Sequence, residues 1–205
     1  MRIFLIRHGQ SKGGKKKIIA GQSDLSLTKL GKEQAATLGQ EFLESGIKFE
    51  VVYSSDIARA SQTSTIICEK LGISGIIFDK RLREQDAGIF TGRKVSSLSK
   101  EEKKFLDNTM VDLDLRVLGG ETNREMTFRI KEVFHEIVMN NPEDTTILLV
   151  AHGGTLYHIL VRVLELLPSK MEEWFGNCAK NVLERKSRAD PWRVSIFNNK
   201  LSFDE

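Results

Sequence analysis

The run Thr146-Ile147-Leu148-Leu149-Val150-Ala151 is the clearest buried strand in the chain, and His152-Gly153-Gly154 ends it. A short apolar run closed by glycine is the pattern of a strand inside a covered sheet. Residues 2–6 make a second such run, closed by Arg7-His8-Gly9. Shorter strands are predicted at 50–53 and 76–79, and two more near 181–186 and 192–197. Helical patterns separate them. Thr28 can cap a helix that carries Leu30, Ala35, Leu38 and Phe42 on one face and ends near Gly46. Ser54-Ser55-Asp56 supplies N-cap chemistry for a helix over 57–71, stopped by Gly72. A charged helix is predicted over 98–107. A long amphipathic one is predicted over 122–140, with Met126, Ile130, Val133, Phe134 and Ile137 at helical spacing. The last helix is predicted over 154–167, ahead of Pro168. Segments 10–27, 80–95 and 108–121 read as loops. Strands alternating with helices predict an α/β fold, a three-layer α/β/α sandwich around a mixed, mainly parallel sheet. No repeat, low-complexity tract or linker interrupts the pattern, so residues 1–205 read as one domain.

Several function classes are excluded at this level. The formal net charge is only +3, and Lys and Arg are spread along the chain, so no nucleic-acid partner is expected. No apolar run approaches the roughly 18 residues that span a bilayer, so no membrane partner is expected. The apolar N-terminus is cut short by Arg7 and His8 with no small-residue cleavage site after it, which makes the cytoplasm the default location. Cys68 and Cys178 form no CxxC pair, and Cys68 lies on an apolar helix face as a buried thiol. His8, His135, His152 and His158 fall in no metal-ligand spacing, so neither a metal nor another cofactor is expected. The oligomeric state is unreadable.

Open α/β sheets bind ligands beyond the carboxyl ends of their strands. After the first strand come Arg7, His8 and Gly9. After the second come Ser54, Ser55 and, one helical turn on, Arg59. After the third come Arg83 and Glu84, and after the strand at 146–151 come His152, Gly153 and Gly154. Such a rim suits phosphoryl transfer to histidine. A neutral imidazole can attack phosphorus and form a covalent intermediate. Arginine matches the non-bridging phosphoryl oxygens with its planar fork. A second histidine can add a donor, and a carboxylic acid can protonate the leaving alkoxide and then activate water. Gly9 would let the backbone approach the ligand, and the helix start at Gly153-Gly154 would favour an anion.

With these motifs in order, the chain resembles the histidine phosphatase superfamily, the phosphoglycerate-mutase-like family, over nearly its whole length. Arg7-His8-Gly9 stands for the family's Arg-His-Gly signature. Gly21-Gln22-Ser23-Asp24-Leu25-Ser26-Leu27-Thr28 looks like its Gly-x-x-Asp-x-Pro-Leu-Thr. Tyr53-Ser54-Ser55-Asp56 with Arg59, Leu82-Arg83-Glu84, Gly119-Gly120-Glu121-Thr122 and Val150-Ala151-His152-Gly153-Gly154 match further segments. The resemblance implies His8 as nucleophile, Arg7, Arg59 and His152 as holders of the phosphoryl group, and Glu84 as proton donor. It implies a small phosphorylated substrate, with Ser11, Gly21, Gln22 and Gly153 as further substrate contacts. It implies hydrolysis, because the stretch between Glu84 and His152 is short beside that of the family's mutases.

One departure stands six residues after His8, where the family often has Asn and this chain has Gly14, with Gly13 in place of a common Trp. Ser11 or the cluster Lys12, Lys15, Lys16 and Lys17 would replace the lost contacts. The lysines suggest a substrate with more than one anionic group. His135 and His158 lie within helices without a matching motif and read as structural; Trp174 and Trp192 read as packing residues. A nucleotide-binding loop is also spelled by Gly9-Gln10-Ser11-Lys12-Gly13-Gly14-Lys15, but Lys16 stands where Ser or Thr would hold magnesium. The alternatives to a phosphatase are a cofactor-dependent phosphoglycerate mutase and a catalytically weak phospho-ligand-binding protein.

Overall fold

The computed structural model describes residues 1–107, 118–166 and 174–201. Its centre is a parallel pair. Strand β1 (Arg2–Arg7) runs beside β4 (Thr146–Ala151), with Arg7 opposite Ala151. On the far side of β4 come β2 (Val51–Ser54) and then β3 (Ile76–Phe78), both parallel to it. On the far side of β1 come β5 (Lys180–Glu184), β6 (Arg193–Phe197) and the short β7 (Lys200–Leu201), each antiparallel to the strand before it in the sheet. Among the described residues the sheet order is therefore β3-β2-β4-β1-β5-β6-β7.

Strand alternation builds two cores from one set of strands. Ile3, Leu5, Ile147 and Leu149 face one way, onto Met126, Ile130, Val133 and Phe134 of α5 (Asn123–Asn140). Phe4, Ile6, Leu148 and Val150 face the other way, onto α2 (Lys29–Glu44) and α3 (Ala58–Leu71). There Phe4, Phe42 and Phe49 meet edge-to-face with ring centroids 5.0–5.5 Å apart. These are the expected three layers. Cys68 and Cys178 are both buried free thiols. No helix among the described residues is long and apolar enough to cross a membrane.

The departures from expectation are local. Segment 10–27 holds a four-residue helix, α1 (Lys12–Lys15), capped by the Ser11 side chain, which accepts from Gly14 N. The turn stops at Lys16 and opens no longer helix, which removes the nucleotide-binding-loop reading. Segment 80–95 contains 3-10 turns, Lys80–Leu82 among them. Helices α4 (Lys100–Asp107) and α5 stand where expected, and α5 starts with a reciprocal cap between Thr122 and Glu125. The predicted helix over 154–167 is instead a short α6 (Gly153–Tyr157) that widens into a π turn over His158–Val163. Residues 108–117 of the predicted loop, and Pro168, lie outside the described residues.

Candidate active site

The parallel pairing of β1 and β4 brings the two strand-end histidines together. His8 N donates to the Ala151 carbonyl, and the two imidazole centroids are 5.2 Å apart. The His8 side chain is almost wholly buried. Its Nδ1 lies 2.7 Å from the Gly9 carbonyl. A carbonyl only accepts, so Nδ1 carries the ring hydrogen and Nε2 keeps its lone pair. Burial, with Arg59 second, holds the His8 pKa down at about 3. The ring is a neutral base across the physiological range.

Arg59 enters from the first turn of α3 and is 1% exposed. Its Nε donates to His8 Nε2 at 3.1 Å and to His152 Nδ1 at 3.2 Å, one hydrogen shared between two rings. The two Nη groups donate to the Ser23 and Gly21 carbonyls. His152 is fully buried, and its Nε2 meets Ser55 Oγ at 2.9 Å. Because Nδ1 accepts from Arg59, Nε2 carries the hydrogen and donates to Ser55. Burial, then Arg59, push the His152 pKa well below its usual value. Arg7 donates through Nη1 to the Phe175 carbonyl at 2.6 Å, while its Nε is buried with no partner among the described residues. An orphaned guanidinium donor beside two neutral imidazoles is poised for an anion.

Glu84 faces this group from the loop after β3. Its Oε2 accepts from Gly154 N at 3.2 Å, and its Oε1 accepts from Gln85 N. The helix start at Gly153-Gly154 does favour an anion, but that anion is the Glu84 carboxylate. A Cβ on Gly154 would stand 2.1 Å from Glu84 Oε1, so a side chain there would push the carboxylate off the Gly154 amide. Arg129 of α5 braces the same loop by donating to the Arg81, Arg83 and Glu84 carbonyls while paired to Glu121. Arg83 is paired to Asp56.

The family model described as histidine phosphatase superfamily (branch 1) matches residues 3–200. The chain belongs to this superfamily. Probable phosphoglycerate mutase GpmB of Erwinia tasmaniensis is 33% identical over 201 residues, 95% of this chain and 89% of that one. The Salmonella paratyphi A protein of the same name is 34% identical over 170 residues, 81% of this chain and 76% of that one. Mycobacterial glucosyl-3-phosphoglycerate phosphatase, solved in complex with VO3, superposes with a TM-score of 0.82 at 25% identity, covering 96% of this chain and 98% of that one.

In this histidine phosphatase superfamily member, the sequence-predicted residues divide into two sets. Arg7, His8, Ser11, Gly21, Arg59 and Glu84 line one open cavity of about 510 Å³. His152 sits behind that wall, next to His8 and Arg59. Gln22 and Gly153 do not line the cavity. Gln22 donates to the Glu84 carbonyl, and Gly153 packs under Trp174, whose Nε1 would be 2.6 Å from an added Cβ. Gly9 serves a different neighbour from the one expected: an added Cβ would lie 2.4 Å from the Gly31 carbonyl of α2, so glycine admits the helix rather than the ligand. The four lysines do not line the cavity either. The α1 turn presents Ser11 and Gly14 to it and leaves Lys12 and Lys15–Lys17 exposed. Among the described residues no group of three His, Cys, Asp or Glu could hold a metal ion.

Sequence reasoning missed four residues here. Asp24 caps α3 from outside by accepting from Ala58 N at 2.7 Å, so the predicted Ser54-Ser55-Asp56 cap is not used. Ser55 Oγ accepts from Ile57 N at 3.4 Å, ahead of the helix, and meets His152. His158 and Trp174, read as structural, both line the cavity. The Asp24 and Ser55 roles had a signal, since both stand within matched motifs. His158 and Trp174 had none.

Proposed function

We propose that residues 1–205 form one domain that hydrolyses phosphomonoesters, without a metal ion, through a phosphohistidine on His8. The observation that carries this reading is the tautomer of His8. Its hydrogen is tied to the Gly9 carbonyl, so Nε2 carries the lone pair; that lone pair accepts from Arg59 Nε and is released to phosphorus when a phosphoryl oxygen takes that hydrogen instead. In the first step Nε2 attacks phosphorus in line and the bond to the leaving oxygen breaks. The Glu84 carboxyl gives that oxygen its proton. In the second step the Glu84 carboxylate takes a proton from water, whose oxygen attacks phosphorus. The bond to Nε2 breaks, and His8 returns as a neutral imidazole with inorganic phosphate released. Arg7 Nε and Arg59 bind the equatorial oxygens. A phosphoryl dianion at this point favours a protonated His152, which then donates from Nδ1 while keeping its bond to Ser55.

The test is turnover of a phosphomonoester panel in EDTA, with acid quenching to trap labile phosphoenzyme. A His8→Ala variant is expected to lose on the order of 10³-fold or more of kcat/KM and all phosphoenzyme. An inactive wild type, or an equally active variant, would falsify the reading. A second reading, phosphoglycerate mutase, draws support from the names of the 33–34% identical relatives. It expects isomerisation of phosphoglycerate to outpace its hydrolysis. Phosphate-ligand affinity without turnover would instead favour a binding protein.

A further inference from the structure

Beyond the phosphate end, the cavity wall changes character. It is formed by Ile18, Ile19, Val95, Leu98, Tyr157 and Trp174, and Lys103 is its one cation among the described residues. Tyr157 and Trp174 are stacked, with ring centroids 5.8 Å apart and planes 25° from parallel, and Trp174 remains 44% exposed. Two flat rings on one wall favour a flat apolar partner. Gly14 adds room at the opposite side, since a Cβ there would meet only Ser11 Oγ, at 3.5 Å.

One polar group is set into this wall. His158 is 4% exposed and lines the cavity. Its Nδ1 lies 2.9 Å from Thr127 Oγ1, and that hydroxyl donates its own hydrogen to the Asn123 carbonyl at 2.7 Å. The hydroxyl can therefore only accept from the ring. Nδ1 carries the hydrogen, and Nε2 is an unprotonated acceptor with no hydrogen-bond partner among the described residues. Burial, then Arg162 and Arg129, keep the ring neutral, with a pKa of about 4. The π turn begins at this residue, a widening that often accompanies functional sites.

We infer that this end of the cavity is a built subsite for the leaving group: a flat, ring-bearing apolar alcohol with an O–H or N–H that donates to His158 Nε2. The inference rests on the phosphomonoester reading for the orientation of the ligand. It replaces the polyanionic substrate suggested by the lysines, none of which reaches the cavity.

Binding separates this from turnover. Naphthylmethylphosphonate and its ring-hydroxylated regioisomers cannot be hydrolysed, and their affinities for the full chain can be measured by calorimetry. At least one regioisomer is expected to bind about tenfold more tightly than the parent, the worth of one buried hydrogen bond. In His158→Phe that advantage is expected to fall to about one. Thr127→Val, which removes the acceptor that sets the tautomer, is expected to reduce it with the His158 side chain still present. Melting curves show whether each variant folds; if His158→Phe does not, Thr127→Val decides. The inference is overturned if no regioisomer outbinds the parent, if the advantage survives both substitutions, or if 3-phosphoglycerate outbinds every naphthyl ligand. Failure of the hydrolysis reading looks different: the phosphonates would bind as expected, while the matching phosphate esters would not turn over.

Discussion

The two ends of the cavity are made in different ways. The end proposed to bind phosphate is assembled from strand termini: Arg7 ends β1 and His8 follows it, Ser55 and Arg59 follow β2, and His152 follows β4. Apart from the half-buried Arg7, its side chains are almost wholly buried and hold one another, with Arg59 Nε shared between His8 and His152. The far end is assembled from loops, a π turn and α4, and its apolar side chains are held by packing rather than by hydrogen bonds. A sheet fixes the first end to a fraction of an ångström, because each strand end is tied to its neighbour by backbone hydrogen bonds. The second end can be remodelled by point substitution without disturbing the first.

This contrast predicts that changes at the phosphate end act on every substrate and changes at the far end act selectively. The largest effect is expected from Glu84→Gln, a loss of about 10²–10⁴ in kcat. It should be greatest for alkyl esters with poor leaving groups and smaller for aryl esters, and equal losses would argue against a proton-donor role. Next comes acid sensitivity. His8 and His158 have folded pKa values of about 3 and about 4, below the unfolded value of 6.5, so the unfolded chain binds more protons between these limits. Stability is therefore fully present above pH 6.5 and is lost as pH falls toward 4 and then 3, by up to about 2 kcal/mol per histidine at pH 5. Thermal melts at pH 7 and pH 5 measure this, and the difference should shrink in His158→Phe. The same depression of His8 keeps the acid limb of kcat/KM from arising at its ordinary titration point.

Ser55→Ala should cost about tenfold in kcat for all substrates, since it removes the hydrogen bond that orients His152. An unchanged kcat would show that burial alone orients that ring. Trp174→Ala should raise KM several-fold for ring-bearing esters and leave small alkyl esters nearly untouched, the worth of one stacking contact. A uniform loss would show that the two ends are coupled through Gly153, on which Trp174 packs. The smallest effect belongs to Gly14→Asn. Space and backbone conformation admit the side chain, so melting should be unchanged, with a few-fold preference shifted toward smaller leaving groups.

Much of the phosphate end was legible because its residues sit at fixed offsets from strands that apolar runs announce. His8 and His152 each follow such a run directly, so naming the strands named the histidines. Glu84 was legible by motif, although its anchoring on Gly154 N was not. The capping of α3 was misread, since Ser54-Ser55-Asp56 has cap chemistry while the actual acceptor, Asp24, lies 34 residues away from Ala58. His158 and Trp174 escaped for a related reason. A histidine within a helical pattern is buried or exposed according to which layer covers it, and a tryptophan between loops has no periodicity to read. The lysines misled because local charge density says nothing about which way a short helical turn points.

By itself the sequence determined the three layers, the mixed sheet and the set of candidate side chains at strand ends, because strand and helix periods and strand termini are local properties of the chain. The tertiary structure alone decided which hydrogen each imidazole carries, which anion occupies the helix start at Gly154, and what lines the apolar end of the cavity. Those depend on partners such as Thr127 and His158, 31 residues apart, or Arg7 and Phe175, 168 residues apart, and only folding brings such partners within hydrogen-bonding distance.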